Sequence, residues 1–105
     1  MHIQVVNFNL KGMREEEFRK LCDQLAPAFA EIPGLMSKVW LANAATNTYG
    51  GVYTWRDREA MIAFTKTDLF ASVVSHPNFS AITSTDFSVL EDPTRVTKGL
   101  AAVAA

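Results

Sequence analysis

Aromatic side chains with polar tips are concentrated between residues 40 and 55 of the sequence. Trp40 lies there, and Tyr49, Gly51, Tyr53 and Trp55 occupy alternate positions. Alternate residues of a strand share one face, so these side chains are expected to line one surface. Because Trp and Tyr combine a large apolar body with an N–H or O–H donor, the cluster suits a pocket for a flat aromatic ligand. Packing in the core or in a subunit interface is the alternative interpretation.

Three polar residues are further candidates for ligand contact. Lys38 lies among apolar residues, where a charge needs a partner or a route to water. It is either an anion contact for a ligand or a solvated or salt-bridged lysine on a sheet edge. His76 can exchange a proton near neutral pH, although its place before a proline also suits a helix C-terminal cap. Asn7 lies on the first predicted strand and could hydrogen-bond a ligand carbonyl.

The glycine pair Gly50-Gly51 interrupts a run of strand-forming residues. Glycine in a strand leaves no side chain to pack and weakens the strand. A bulge is the simplest interpretation. Room for a ligand, or the close passage of another backbone, is the functional one.

Composition and charge exclude several classes of protein. A chain of 105 residues with 49% hydrophobic residues is long enough for one modest core. Ten basic and eleven acidic residues give a net charge of −1, which removes the usual electrostatic argument for nucleic acid. Cys22 is the single cysteine and there are two distant histidines, so no metal site is expected. The start of the sequence lacks a signal-peptide pattern and no stretch approaches ~20 apolar residues, which predicts a cytoplasmic protein without membrane contact.

Hydrophobic periodicity predicts a fold of two similar halves. A strand over 2–10 precedes an amphipathic helix over about 14–31, whose apolar positions recur at helical spacing. A second set of elements follows: strands over 35–42, 49–55 and 82–90, and helical segments capped by Asp57 and Asp68.

The order β-α-β-β-α-β predicts an α+β, ferredoxin-like domain over 1–92, followed by a C-terminal tail over 93–105. Two helices cover one face of the sheet in this fold. The other face carries Ile3, Val5 and Phe87 or its neighbours, and a chain of this size has nothing left to cover it. Pairing with a second copy, sheet to sheet, is the economical solution, so we expect an obligate homodimer.

Several short segments together resemble a known family. They are Pro33-Gly34-Leu35, Lys38-Val39-Trp40, Gly50-Gly51-Val52-Tyr53, and Asp57 with Ala60 and Ala63. This set is similar to the YdhR-type monooxygenases of the dimeric α/β-barrel superfamily. The resemblance extends from the first strand through the fourth and is densest in 33–64. It implies a homodimer in which two ferredoxin-like sheets pack face to face.

The resemblance also implies a reaction. Relatives in the wider superfamily oxidise polycyclic aromatic phenols and anthrones with dioxygen and without flavin or metal. By this resemblance the chain would be a cofactor-independent monooxygenase acting on a small aromatic or quinone-like substrate between the sheet and the helices. Tyr53, Trp55 and His76 would then be catalytic, as hydrogen-bond donors or as a proton acceptor. The substrate would contact Trp40, Lys38, Asn7, Tyr49 and Gly51.

Two other functions fit the same sequence. A non-catalytic dimeric module for small-molecule binding or stress response would use the same pocket without turnover. A haem-degrading relative would need an axial ligand, for which His76 is the candidate.

Overall fold

Eight elements follow one another along the part of the chain that the computed structural model describes, residues 1–100. They are β1 (His2–Leu10), α1 (Glu15–Ala30), β2 (Leu35–Asn43), β3 (Thr48–Trp55), α2 (Arg58–Thr65), α3 (Asp68–Val74), β4 (Phe79–Ser88) and α4 (Glu91–Val96). The predicted tail thus begins within a short helix, and its residues 101–105 lie outside the described part.

The four strands form one antiparallel sheet in the order β2-β3-β1-β4. The strands β1 and β3 lie at its centre, and β2 and β4 lie at its edges. Each half contributes one central strand and one edge strand, which is the split arrangement of a ferredoxin-like domain. The predicted α+β fold class is therefore confirmed.

The core lies between this sheet and the helices. Val6 and Phe8 of β1 and Tyr53 of β3 point towards the helices, and alternation along each strand places them there. Two phenylalanines from α1, Phe18 and Phe29, meet them. The apolar stripe of α1 thus packs on the sheet, as its spacing predicts.

Two predicted helix starts can be compared with the structure. Asp57 caps α2, because its carboxylate accepts a hydrogen bond of 2.8 Å from the backbone N–H of Ala60. For α3 the predicted cap is wrong by one residue. The hydroxyl of Thr67, rather than Asp68, accepts from the backbone N–H of Phe70 at 3.2 Å.

The last strand begins earlier than the sequence predicts. It starts at Phe79 instead of Ile82, because Phe79 pairs with Leu10 of β1 before the ladder is interrupted. The interruption is a bulge, in which Ala81 adopts a positive φ of 52°. This irregularity breaks the alternation on which the predicted boundary depends.

The sheet face opposite α1 carries an apolar patch that residues 1–100 leave partly exposed, and Thr94, Gly99 and Leu100 lie near Ile3 at one end of it. Ile3 and Val5 of β1 lie on this face, and Val39 and Phe87 are 57% and 58% exposed on its outer strands. No helix within residues 1–100 is long and apolar enough to cross a membrane.

Candidate functional site

A cavity lies between α1 and the helix-facing side of the sheet. Its empty volume of about 370 Å³ includes open solvent at its mouth, and the space between its side chains is little larger than a water molecule. It is lined by Val6, Phe8, Phe18, Leu21, Leu25, Phe29, Lys38, Trp40, Gly50, Gly51, Tyr53, Val73 and Phe79. The walls are thus apolar and aromatic, and a planar ligand would have to displace side chains to enter.

The structure brings four of the eight candidate residues together on this cavity. Lys38, Trp40, Gly51 and Tyr53 all contribute to its lining. They come from the adjacent strands β2 and β3, where Lys38 pairs with Tyr53 and Trp40 with Gly51. Cross-strand neighbours on one face stand close together, so this pairing builds the polar end of the cavity.

The amine of Lys38 lies among aromatic rings. Its Nζ is 3.5 Å from the ring centroid of Phe29, 3.4 Å from that of Trp40 and 4.7 Å from that of Tyr53. The ion pairs of residues 1–100 leave Lys38 without a carboxylate partner. The salt-bridged interpretation of this residue is therefore wrong, and ring faces take the place of a counter-ion.

The two glycines of β3, Gly50 and Gly51, have different structural roles. A Cβ on Gly51 would lie 2.8 Å from Cε of Lys38, so the glycine leaves room for the lysine side chain to lie over β3 on the helix-facing side of the sheet. Gly50 has φ of 149°, and a Cβ there would overlap the carbonyl of Val6 on the neighbouring strand. One glycine thus makes space inside the site, and the other allows close passage of backbone.

Burial sets the protonation of the polar groups around the cavity. It lowers the pKa of Lys38 to about 7, although the nearby Cys22 thiol opposes this. The ring faces also favour the ammonium, but their contribution is smaller than the cost of desolvating a charge. Burial raises the pKa of Cys22 to about 11 and holds the pKa of Tyr53 well above its usual range. At neutral pH the tyrosine is therefore a proton donor, whereas the lysine exists in both forms.

Trp55 does not reach the cavity. Its side chain is fully buried in the core, and its indole N–H donates to Oε1 of Gln4 at 3.0 Å. Gln4 in turn donates from Nε2 to the hydroxyl of Ser84 at 3.0 Å. The free indole donor that the sequence suggested at this position is therefore not found, since the N–H already has a buried partner.

The remaining candidates also lie away from the cavity. The ring of His76 stacks behind Phe79 with centroids 4.3 Å apart, and its Nδ1 accepts from a backbone N–H at 3.1 Å. The Tyr49 hydroxyl donates to Oε1 of Glu15 at 2.8 Å, which ties β3 to α1. Asn7 donates to the carbonyl of Tyr49 at 3.5 Å. These three side chains make contacts within the fold and do not line the cavity. The alternation of residues along β3 therefore predicted more site residues than the structure places there.

Sequence reasoning missed the contribution of α1. Phe29, Leu21 and Leu25 line the cavity from the helix, and Phe29 forms one wall around the lysine amine. Their helical spacing marks all three as core residues. Nothing in that spacing shows that the sheet beneath them leaves a gap, because the gap arises from Gly51 on a distant strand.

Two surface grooves adjoin the cavity between α1 and β2. Their empty volumes are about 830 and 570 Å³. Trp40 lines both grooves as well as the cavity, and Lys38 lines the smaller groove. These two side chains therefore separate the interior from solvent at the β2 edge. No cluster of three metal-ligating side chains occurs within residues 1–100.

Comparison with known proteins identifies related sequences and folds. Residues 3–100 match the family described as "Putative mono-oxygenase ydhR". No curated protein matches the chain.

Several solved structures share the fold. The haem-degrader MhuD from Mycobacterium tuberculosis is 20% identical, with a TM-score of 0.70 over 88% of this chain and 98% of that one. SnoaB from Streptomyces nogalater, a cofactor-independent oxygenase, is 22% identical, with a TM-score of 0.65 over 86% and 94%. A protein from Deinococcus radiodurans described as a putative antibiotic biosynthesis monooxygenase is 15% identical, with a TM-score of 0.70 over 87% and 94%. At these identities the likeness establishes the fold alone.

Proposed function

Because the chain belongs to the YdhR mono-oxygenase family, we propose that it oxidises a small aromatic or quinone-like substrate with dioxygen inside the cavity between sheet and helices. The observation that carries this proposal is the aromatic cavity whose polar side chains are Lys38 and Tyr53. In such a reaction a ring CH₂ group and O₂ give C=O and water. The substrate supplies all four electrons, so no flavin or metal is needed.

The protein would contribute a dry site and a proton donor. Trp40 and Phe29, which line the cavity, would exclude water and hold a planar ring. The Tyr53 hydroxyl, kept protonated by burial, would donate to the oxygen that becomes negative when the substrate anion reacts with O₂. Trp55 would act indirectly, since its ring lies parallel to that of Tyr53 at 5.9 Å and supports it. His76 would support the wall residue Phe79 in the same way.

Haem fits the described residues poorly. The axial candidate, His76, faces away from the lining, and its Nδ1 already accepts a hydrogen bond. Haem would also need a much larger displacement of the lining side chains than a single aromatic ring would, because the space between them is little larger than a water molecule. Haem degradation, the function in the name of MhuD, is therefore less well supported for this chain than oxidation of a smaller aromatic ring.

We further propose that the protein is a homodimer joined through the outer sheet face. The exposure of Val39 and Phe87 beside Ile3 and Val5 supports this assembly, because such apolar patches usually mark interfaces. Sedimentation at micromolar concentration should give twice the 11.6 kDa of one chain. A stable species of one-chain mass would contradict the proposed assembly.

The proposed reaction is tested by oxygen consumption with a panel of anthrones and hydroquinones. Tyr53→Phe should lower kcat by roughly 10²-fold while KM changes little, because only a donor to the developing oxyanion is lost. Tyr49→Phe is the matched control, since it removes a hydroxyl from the same strand outside the cavity. Ligand binding without turnover across the panel would favour the non-catalytic binding module.

A further inference from the structure

Lys38 carries the one amine on the cavity wall. The lining contains no aspartate, glutamate or histidine, and its other titratable member is Tyr53. Among residues 1–100, the groups that face the amine are this phenol from β3, the Cys22 thiol from α1, and the rings of Phe29 and Trp40. None of these is an anion at neutral pH. The site thus holds a potential cation without a counter-ion.

This arrangement leaves a place for a negative charge to be supplied from outside. We propose that Nζ of Lys38 takes the proton from an acidic O–H group of an aromatic substrate and then holds the resulting anion in the cavity as its counter-ion. The inference rests on the proposed function and adds its missing base. It restricts the substrate to aromatic molecules with an ionisable hydroxyl, such as phenols and the enol forms of ring ketones.

The proton transfer is balanced within the site. The substrate O–H bond breaks, an N–H bond forms on the neutral amine, and the electron pair stays on the substrate oxygen. Delocalisation into the ring then makes the substrate electron-rich, which is the state that would react with dioxygen. The ammonium formed remains against the faces of Phe29 and Trp40, which stabilise it through their quadrupoles.

The free-energy cost of a buried ammonium without a counter-ion favours proton transfer from the substrate to neutral Lys38. An ammonium taken out of water without a partner is destabilised, and burial accordingly lowers the pKa of Lys38 to about 7. A bound phenolate would remove that cost, since opposite charges in a poorly solvated site attract strongly. The amine is thus available as a base in the free protein and becomes a stable cation once the anion is present.

A chromogenic phenol tests the proposal without any turnover. The probe is 4-nitrophenol, whose anion absorbs at longer wavelength, and its methyl ether 4-nitroanisole is the control ligand that cannot ionise. Titrations run one pH unit below the pKa of the free probe, where about a tenth of it is anionic. Saturating wild-type protein should raise the anion fraction at least about fivefold. Lys38→Met should abolish the rise, and Lys20→Met, which removes an exposed lysine of α1, should not.

The outcomes separate this inference from the function on which it rests. Binding of 4-nitroanisole together with binding of 4-nitrophenol only as the neutral phenol would overturn the role of Lys38 and leave the aromatic site standing. An equal anion signal in Lys38→Met would overturn it too, because another group would then be the counter-ion. If neither compound binds, the cavity is not a ligand site and both proposals fail. The ¹³Cε resonance of Lys38 in wild-type protein gives a variant-free check: its midpoint should rise by at least about one pH unit when 4-nitrophenol binds.

Discussion

The pH dependence of stability tests the burial of Lys38 directly. Burial lowers the pKa of this amine from its ordinary value of 10.5 to about 7. Between these two values the unfolded chain holds a proton that the folded chain has released. The free energy of unfolding must therefore rise with pH through this interval, and the destabilisation is fully present below about pH 7.

The expected change in the free energy of unfolding follows from the number of protons that the folded chain has released relative to the unfolded chain. One fully released proton changes the free energy of unfolding by about 1.4 kcal/mol per pH unit. Between pH 7 and 9 the gain is about 2 kcal/mol, since release is only half complete at the lower end. The ring faces favour the ammonium by ~0.5–2 kcal/mol, which leaves an expected rise of about 1–2 kcal/mol. Above pH 9, the ordinary value for Cys22, its raised pKa acts in the opposite direction because the unfolded thiol ionises first.

Urea unfolding at pH 7, 8 and 9, with the protein concentration fixed, measures this slope. Wild type and Lys20→Met should share it. Lys38→Met should be more stable than wild type at pH 7 and should lose the rise, because the buried amine is gone while its apolar stem is retained. A wild-type slope near zero, or an unchanged slope in Lys38→Met, would refute the claim that this lysine is desolvated.

Three further substitutions test the packing around the cavity. Gly51→Ala should push the stem of Lys38 outward, because the new Cβ would lie 2.8 Å from Cε of the lysine. A ¹³Cε titration should then show the pKa of Lys38 moving up towards 10.5, and an unchanged pKa would contradict the stated role of the glycine. Trp55→Phe should lower the free energy of unfolding in urea by about 1–3 kcal/mol, because Gln4 loses its buried hydrogen-bond donor. Turnover per folded molecule should stay within about twofold, and a large selective loss of kcat would restore a direct catalytic role for Trp55. Leu25→Ala should cost about 2 kcal/mol, at the low end for leucine, because the half-buried side chain borders an existing cavity, and a loss under about 0.5 kcal/mol would mean that the helix faces elsewhere.

The fold follows from features that act locally along the sequence. Helical spacing from Phe18 to Phe29 defines α1, and the aspartate at 57 marks the start of α2 through a contact three residues away. The alternation of apolar residues in β1 assigns its two faces correctly. Each of these signals depends on neighbours within about one or two turns, so a single sequence contains them.

The site depends on contacts between distant residues, and most of it could not be predicted. A register shift between Leu35 and Ser37 places both Leu35 and Lys38 on the helix-facing side, which strict alternation along β2 does not allow. The partner of Trp55 lies 51 positions away on β1. Whether an aromatic donor is free or satisfied is decided by such long-range pairs, and composition cannot reveal them.

Trp40 has a consequence for the rates of ligand entry and exit. The indole is the wall shared by the interior cavity and both surface grooves, and β2, which carries it, is an edge strand paired on one side only. Rotation of this one side chain would join the three spaces into a continuous passage. Association would then depend on a rotamer change on an edge strand as well as on diffusion to the cavity. The same rotation would control product release, so the residence time of a ligand would be set at the edge of the sheet, away from the reacting atoms.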